Sequence, residues 1–281
     1  MNNTLCIFTV IKNEHLYLDE WIKYHLELGV DHIFIFEDID SDTHKEITDK
    51  YGDRVSLNNI LTVFDTDEQK QEIIELKKNK KFVQCKYIKN GLLYIKKTYP
   101  NQYDWCFVID NDEFITLEKE NSKLKDVISL YADYDAFILQ WKCYGANGLI
   151  YKPNYDNKGL IETYTELADM EFENNIGITK TCYNLNTYQN AFFWNHHQPS
   201  NDCKWCKSDL RQFRLRPIFK NIYIRHYITK SWEEFVWKLK IRGEFSNDLK
   251  SYNCFFKQNH NMLDKKEELL EIAKEIINKN K

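Results

Sequence analysis

The chain has 281 residues, of which 43% are hydrophobic and 29% charged, with only eight glycines and four prolines. This composition excludes collagen-like, low-complexity and wholly disordered classes, and the length suffices for one large domain or two small ones. The formal net charge of −4 comes from 39 Lys and Arg against 43 Asp and Glu. Such a balance is not typical of a nucleic-acid-binding protein, so we expect no nucleic-acid partner.

The sequence indicates a cytoplasmic protein. No apolar run reaches the roughly 18 to 20 residues that a membrane span requires, and the first residues do not resemble a signal peptide. Eight cysteines are too few for a disulfide scaffold, and those inside apolar runs are expected to be reduced and buried.

The first forty residues predict a strand, a helix and a second strand. Leu5–Ile11 and His32–Phe36 are continuous apolar and β-branched runs, which is typical of strands covered on both faces. Between them, apolar residues recur at helical spacing from Leu18 to Leu28, and Gly29 follows where a left-handed cap is expected. This is the pattern of a βαβ unit.

The same alternation continues toward the middle of the chain. Helices are predicted over Thr66–Lys80 and Val83–Lys97, and strands over Trp105–Ile109 and Phe137–Gln140. The predicted class is therefore α/β, with a mostly parallel central sheet flanked by helices. From residue 141 to about 212 no periodicity is sustained, and no structure is predicted there.

Order returns in the last sixty residues. Asn221–Tyr227 predicts a strand, and Ser231 with Glu234 forms a capping box for a helix that runs to about Arg242. A final amphipathic helix is predicted over Asp264–Asn278. Its lysines suit an anionic membrane surface, but its acidic residues nearly cancel them, so a helix that docks on the protein is the simpler alternative.

The strongest chemical signal is the run Asp110-Asn111-Asp112-Glu113, directly after a predicted buried strand. Carboxylates at the end of a buried strand are costly unless a cation compensates them. Mg²⁺ and Mn²⁺ bind carboxylate oxygens and keep positions open for water and substrate phosphate. We therefore predict a divalent metal at this D-x-D turn.

Further blocks stand at separate spacings along the chain. They are Lys12-Asn13-Glu14, Glu20 to His25, Leu28-Gly29-Val30, Glu37-Asp38, Trp141 with Tyr144, Gly145 and Gly148, and His226-Tyr227 with Thr229-Lys230-Ser231, Glu234-Phe235, Lys238 and Arg242-Gly243. Together with the D-x-D block from Val108 to Ile115, they resemble the nucleotide-sugar glycosyltransferases of the GT-A fold, in particular family 92 and the related family-2-like branch. The D-x-D block resembles the metal motif of that family, and in the block that begins at Trp141, Tyr144 replaces the Phe of the family pattern.

The resemblance implies a UDP-sugar as donor substrate and Mn²⁺ or Mg²⁺ as cofactor. It implies that the nucleotide-sugar contacts are Thr9, Val10, Asn13, Glu14, Asp38, Gln84, Lys86, Asp110, Asn111 and Lys230. The implied metal ligands are Asp110, Asp112 and His226, and the implied sugar and acceptor contacts are Trp141, Gly145 and Gly148.

Most of these residues also have a purely structural interpretation. Asn13 and Glu14 could simply begin the first helix and compensate its dipole. His226 could be a core histidine, Lys230 a surface lysine, and Trp141 a core residue before a glycine turn.

An inverting enzyme needs a base that deprotonates the acceptor hydroxyl. The resemblance favours Asp202, followed by His197, Glu162 and Glu173. Cys203 and Cys206, close to His196 and His197, also permit a zinc site, although loop thiols explain them equally well.

The sequence thus predicts one GT-A domain over residues 1–281. Its expected parts are a nucleotide-sugar-binding half (1–115), an acceptor-side half (116–245) and a C-terminal helical segment (246–281). We expect an inverting transfer of a hexose from a UDP-sugar to a hydroxyl of a glycan or glycolipid, with galactose as the first candidate sugar. The expected pathway is bacterial surface polysaccharide or lipooligosaccharide synthesis, with peripheral contact at the inner face of the membrane. The alternatives are a non-catalytic carbohydrate-binding module and a metal-dependent phosphoryl-transfer enzyme.

Overall fold

The structure, a computed structural model, describes residues 3–155, 158–169, 179–195, 197–211, 219–240 and 248–279. Its strands are β1 (Leu5–Ile11), β2 (His32–Glu37), β3 (Val55–Asn59), β4 (Trp105–Val108), β5 (Glu113–Leu117), β6 (Ala136–Cys143), β7 (Thr179–Asn184), β8 (Trp205–Lys207) and β9 (Ile222–His226). Its helices are α1 (Leu18–Leu28), α2 (Lys45–Thr48), α3 (Asp67–Lys78), α4 (Gln84–Thr98), α5 (Leu124–Ile128), α6 (Leu160–Thr163), α7 (Trp232–Lys240), α8 (Asp248–Gln258) and α9 (Lys266–Lys279).

The chain divides into two compact units. The first comprises residues 1–141 and 173–224, and the second comprises residues 142–172 and 225–281. The predicted division of one domain into sections at residues 115 and 245 stays a prediction.

The strands form a mixed sheet in the order β3-β2-β1-β4-β7-β6-β9-β5, with β8 paired to β6. The pairs β1–β2, β1–β4, β2–β3 and β6–β8 are parallel, whereas β4–β7 and β6–β7 are antiparallel. The predicted α/β class, with a mostly parallel sheet flanked by helices, is confirmed.

The three central parallel strands β1, β2 and β4 position the candidate site. Their side chains are almost wholly buried on both faces, which is why their sequences are continuous apolar runs rather than alternating ones. Ile11 lies opposite Glu37, and Phe8 lies opposite Val108. The carboxyl ends of these strands therefore meet at one edge of the sheet, where ligands of α/β proteins commonly bind.

The elements with the clearest sequence signals lie where they are predicted. Strand β1 has the predicted bounds, and α1 is capped by Gly29, whose φ of 112° is the left-handed cap conformation. Thr66 caps α3 through a capping box with Gln69. Strands β3, β5, β7 and β8 and helices α2, α5, α6 and α8 have no counterpart in the predictions.

The second unit contains a separate core built on α7, α8 and α9. Trp232 is fully buried there, and its indole N–H donates to the Leu269 carbonyl over 2.7 Å. The predicted capping box is confirmed, because the Ser231 and Glu234 side chains bond at 2.7 Å and the Glu234 N–H donates to the Ser231 hydroxyl.

Helix α9 buries Leu269, Ala273 and Ile276 in this second core. Its apolar face is thus used for docking on the protein, as the simpler sequence interpretation expects. In the described part of the chain, no helix is both long and apolar enough to span a bilayer.

Candidate active site

The predicted D-x-D turn connects β4 to β5. The Glu113 N–H donates to the Asp110 carbonyl over 3.1 Å, and the Asp110 N–H donates to Glu113 Oε2 over 2.9 Å. Asp112 and Glu113 are buried, while the Asp110 side chain is 37% exposed. The turn thus directs one carboxylate outward and retains two within the protein.

A buried lysine, Lys180 of β7, contacts this turn. Its Nζ lies 2.6 Å from Asp110 Oδ2 and 3.6 Å from the Glu113 carboxylate. Burial by itself lowers the pKa of Lys180, but the acidic turn, with the Asp110 carboxylate as the main contributor, outweighs this effect and raises it. Lys180 is therefore a permanent cation at the carboxyl edge of the sheet.

For Glu113, burial outweighs the neighbouring opposite charge. Its carboxyl is completely buried, and burial raises its pKa well above the usual range although Lys180 acts to lower it. The dominant ion pair at the turn is therefore that between Lys180 and Asp110, with Glu113 as a partner for the Asp110 backbone.

Three further predicted residues lie close to the Lys180–Asp110 pair. Gln84, the first residue of α4, donates its side-chain amide to Asp110 Oδ1 over 3.4 Å. The Lys180 ammonium lies 5.8 Å from the centre of the Trp141 ring, and the ring of His197 lies edge-on to Trp141 at 5.4 Å. The structure therefore unites Gln84, Asp110, Trp141 and His197 around one lysine.

Sequence reasoning missed Lys180. It lies in the region without sustained periodicity, where the antiparallel partner of β4 could not be recognised. A local signal for a strand is nevertheless present. Lys180 stands between two threonines in the stretch Thr-Lys-Thr-Cys-Tyr, and β-branched residues and tyrosine are typical of strands.

His197 is held in a defined tautomer. Its Nδ1 bonds to the Thr179 carbonyl at 2.9 Å, so Nδ1 carries the proton and Nε2 is the basic nitrogen. Burial lowers the pKa of His197. A neutral imidazole is therefore the dominant form at neutral pH, which is the form that accepts a proton.

Helix α1 fixes the strand that follows the acidic turn. The Trp21 indole N–H donates to the Glu113 carbonyl over 2.7 Å, and the Tyr24 hydroxyl donates to the Ile115 carbonyl over 2.7 Å. His25 Nε2 accepts from the Ile115 N–H at 3.2 Å while its Nδ1 bonds to the Trp21 carbonyl at 2.8 Å. One turn of helix thus contacts three backbone groups of β5.

The loop after β1 is stabilised by His44. The Glu14 N–H donates to His44 Nε2 over 2.9 Å, and His44 Nδ1 lies 3.0 Å from Glu37 Oε1. The Tyr17 hydroxyl donates to Glu14 Oε2 over 2.6 Å. Glu14 is therefore a buried residue with structural contacts at the carboxyl edge of the sheet.

Asn13 and Asp38 also have structural partners. Asn13 adopts a φ of 54°, and its side-chain oxygen accepts from the Asp42 N–H at 2.8 Å. Asp38 is ion-paired with Lys77 and accepts from the Tyr87 hydroxyl at 3.0 Å. Their predicted contacts with a nucleotide stay predictions.

Buried polar atoms on β1 and in the acidic turn lack partners within the described residues. They are the Thr9 hydroxyl and the side-chain nitrogen of Asn111. A buried donor without a partner costs about 1–3 kcal/mol, so such atoms mark places where a ligand would be stabilising. Val10, the neighbour of Thr9, packs against the hydrophobic core.

Other predicted residues are not part of this cluster. Lys86 is ion-paired with Glu72 at 2.6 Å on the exposed side of α4. Asp202 is exposed and bonds to the Ser200 hydroxyl at 3.3 Å. Glu162 is exposed on α6 in the second unit, and Glu173 lies outside the described residues.

The second unit holds the remaining predicted residues. A side chain at Gly145 would lie 2.8 Å from the Asn259 side-chain oxygen, and Gly148 adopts a φ of 71°. Lys230 is buried, with a φ of 52° and a bond from Nζ to the Tyr227 carbonyl, so it is not an ordinary surface lysine. His226 is buried at the end of β9.

The acidic turn offers carboxylate oxygens, which are the ligand atoms that hard cations prefer. Across the described ranges, no three His, Cys, Asp or Glu side chains are grouped so as to hold a metal ion. Asp110 and Asp112 nevertheless fit Mn²⁺ or Mg²⁺, because such ions often take one or two protein carboxylates and complete their shell with water and substrate phosphate. His226 as a third ligand stays a prediction.

Cys203 and Cys206 are buried, and burial raises the pKa of both thiols to about 12. The zinc site at this pair stays a prediction, because a bound zinc ion would itself deprotonate the thiols. His196 lies outside the described residues.

The model of glycosyltransferase family 92 matches residues 2–268, nearly the whole chain. The chain belongs to glycosyltransferase family 92. The family named from the D-x-D block and its companion motifs is thereby confirmed, and the protein is a glycosyltransferase. No curated protein sequence matches the chain significantly.

Among solved structures, distant similarity is found to HddC from Yersinia pseudotuberculosis, with a TM-score of 0.37 and 11% identity over 73% of this chain and 91% of HddC. Glucosyl-3-phosphoglycerate synthase from Mycobacterium tuberculosis, solved with Mn²⁺, UDP and phosphoglyceric acid, has a TM-score of 0.33 and 11% identity over 66% of this chain. The chain spans 56% of that synthase.

We predict that His25 makes the family 92 protein sensitive to acid. Its two hydrogen bonds require the neutral ring, and burial lowers its pKa from 6.5 to about 3. The unfolded state therefore binds this proton first as the pH falls. The stability that His25 contributes is fully present above pH 6.5 and declines by about 1.4 kcal/mol per pH unit between about 6.5 and 3.

Urea unfolding of the wild type and of His25→Gln at about pH 7 and pH 5 measures this effect. The difference in unfolding free energy between the two proteins should shrink by roughly 2 kcal/mol at the lower pH. His260→Gln, at an exposed position, is the control and should show no such change. A difference that is equal at both pH values would contradict the assignment.

Proposed function

We propose that the protein transfers a hexose from a UDP-sugar to a hydroxyl of a glycan or glycolipid acceptor, with galactose as the first candidate sugar. Membership of glycosyltransferase family 92 supports the class of reaction. The identity of the donor, the metal and the acceptor rests on the residues of the first unit. The expected pathway is bacterial surface polysaccharide or lipooligosaccharide synthesis.

The observation that carries the proposal is the acidic turn at the carboxyl end of β4. Asp110 is the outward carboxylate, and Lys180 and Gln84 hold it in place. Asp112 stands two residues away on the same turn, and in this proposal both carboxylates contact one cation. A buried strand fixes the position of the pair relative to β1 and β2.

Asp110 and Asp112 are the residues that would hold Mn²⁺ or Mg²⁺. When bound, the cation would neutralise the negative charge that develops on the diphosphate of the departing UDP. The Asn111 side-chain nitrogen, which lacks a partner in the described residues, is a donor for a phosphate oxygen. The loops after β1 and β2, with Asn13, Glu14 and Asp38, then border the nucleoside.

Trp141 and His197 are the candidates for the acceptor side. Trp141 is partly exposed, and its ring is of the kind that stacks on a sugar. His197 lies edge-on against it with Nε2 as the basic nitrogen. In an inverting transfer, His197 would take the proton from the acceptor hydroxyl as the oxygen attacks the anomeric carbon and UDP leaves.

This arrangement favours His197 over Asp202 as the base. Asp202 is exposed and engaged with Ser200 in its own loop, whereas His197 shares the Trp141–Lys180 cluster. The roles of His226, Lys230, Gly145 and Gly148 remain those that the family resemblance implies.

We predict that Asp112→Asn abolishes transfer. The amide keeps the size of the side chain but removes the charge that binds the cation, so kcat/KM should fall by about 100-fold or more. The measurement is release of UDP from a panel of UDP-hexoses with Mn²⁺ and an oligosaccharide acceptor. Asp133→Asn, at an exposed site, is the matched control and should retain wild-type turnover. Full activity of Asp112→Asn would contradict the metal-centred account.

We predict that His197→Gln lowers kcat by about 100-fold or more while the KM for the donor changes little. Because the base must be neutral and its pKa is lowered by burial, wild-type kcat should decline only as the pH falls below 6.5. The variant should lose this acidic limb of the pH profile. If Asp202→Asn shows the larger loss of kcat, the base is Asp202 instead.

A further inference from the structure

We propose that Lys180 is the resident cation of the acidic turn and that it competes with a divalent metal for Asp110. The consequence is ordered binding, in which the turn takes the metal strongly only together with a diphosphate. This inference rests on the metal site of the proposed function and assigns to that site a residue that regulates it.

The contact between Lys180 and Asp110 is direct. The ammonium nitrogen lies 2.6 Å from Asp110 Oδ2, which is a charge-assisted hydrogen bond. The Lys180 side chain is only 1% exposed, so water cannot easily replace this partner. A metal that binds at Asp110 must therefore share or displace an interaction that already satisfies the carboxylate.

Neighbouring groups limit where the ammonium can move. Lys180 is on β7, which pairs with β4 and β6 on either side. Its nitrogen is also 3.6 Å from the Glu113 carboxylate and 5.8 Å from the Trp141 ring centre. The positive charge thus stays beside the turn when a second cation approaches.

Two cations at one carboxylate repel each other. At an effective dielectric constant of about 20, the repulsion between unit charges about 4 Å apart is much larger than the thermal energy, and a divalent ion is repelled more strongly. Without a ligand, this repulsion weakens metal binding at Asp110 and Asp112. The phosphates of a bound nucleoside diphosphate bring negative charge to both cations, so they restore the affinity.

The test is the affinity for Mn²⁺ alone, measured on the full chain by the electron paramagnetic resonance signal of free Mn²⁺ without nucleotide. Lys180→Met keeps the length of the aliphatic stem and removes the charge. We expect this variant to bind Mn²⁺ at least about tenfold more tightly than the wild type. Lys180→Arg keeps the charge and should remain within about threefold of the wild type.

A matched control is Lys207→Met. Lys207 is also buried in the sheet, on β8, and the carboxylate that acts on it is Asp209. Its loss should leave the Mn²⁺ affinity unchanged. A lysine with a merely structural role would give the same Mn²⁺ affinity in Lys180→Met as in the wild type, and that result, or no Mn²⁺ binding by either protein, overturns the proposal.

A second pair of variants covers the case in which Lys180→Met does not fold. Glu113→Gln keeps a side-chain oxygen that can accept from the Asp110 N–H. In the double variant Glu113→Gln with Lys180→Met, a neutral amide rather than a carboxyl group then faces the position that the ammonium vacates. The double variant should bind Mn²⁺ at least about tenfold more tightly than Glu113→Gln alone. Equal affinities of these two proteins overturn the proposal.

The two proposals fail in different ways. If the wild type turns over a UDP-sugar and the Mn²⁺ affinities are equal, only the role of Lys180 is wrong. If no UDP-sugar is turned over but removal of Lys180 strengthens Mn²⁺ binding, the donor assignment is wrong and the competition between the two cations stands.

Discussion

The ion pair between Lys180 and Asp110 is the interaction on which the candidate site depends. It joins β7 to the end of β4 and compensates a carboxylate beside the buried Asp112 and Glu113. Helix α1 fixes the strand that follows the turn, through side-chain hydrogen bonds to the backbone of β5. An outward carboxylate is thus held at the carboxyl end of β4 by a lysine that is itself buried. Such preorganisation is what stabilisation of a leaving diphosphate requires.

The family assignment distinguishes the alternatives that the sequence leaves open. A carbohydrate-binding module needs aromatic surfaces but no acidic turn, and the buried lysine and carboxylates would be an unexplained cost in it. A phosphoryl-transfer enzyme would use the same carboxylates, yet the sequence has no glycine-rich loop that cradles phosphates. Glycosyltransferase family 92 matches residues 2–268, which favours transfer of a sugar over both.

The parts of the fold that could be predicted are those with strong local signals. Strand β1 is a continuous apolar run, α1 has a helical period and a glycine cap, and carboxylates follow closely after β4. Strand β5 is only five residues long and begins with Glu113, so hydrophobicity alone does not reveal it. Lys180 could not be predicted because its partner Asp110 is 70 residues away in the chain and only the pairing of β4 with β7 brings them together. The same reason explains why His197, Trp141 and Asp110 were predicted separately and not as one cluster.

The most direct test of the central claim is calorimetric titration of the wild-type protein with UDP, first with Mn²⁺ and then with a chelator, and with ADP for comparison. The account predicts micromolar binding of UDP that requires the metal and is much weaker for ADP. Absence of UDP binding under both conditions would contradict the assignment of a sugar-nucleotide site to the turn at Asp110 and Asp112.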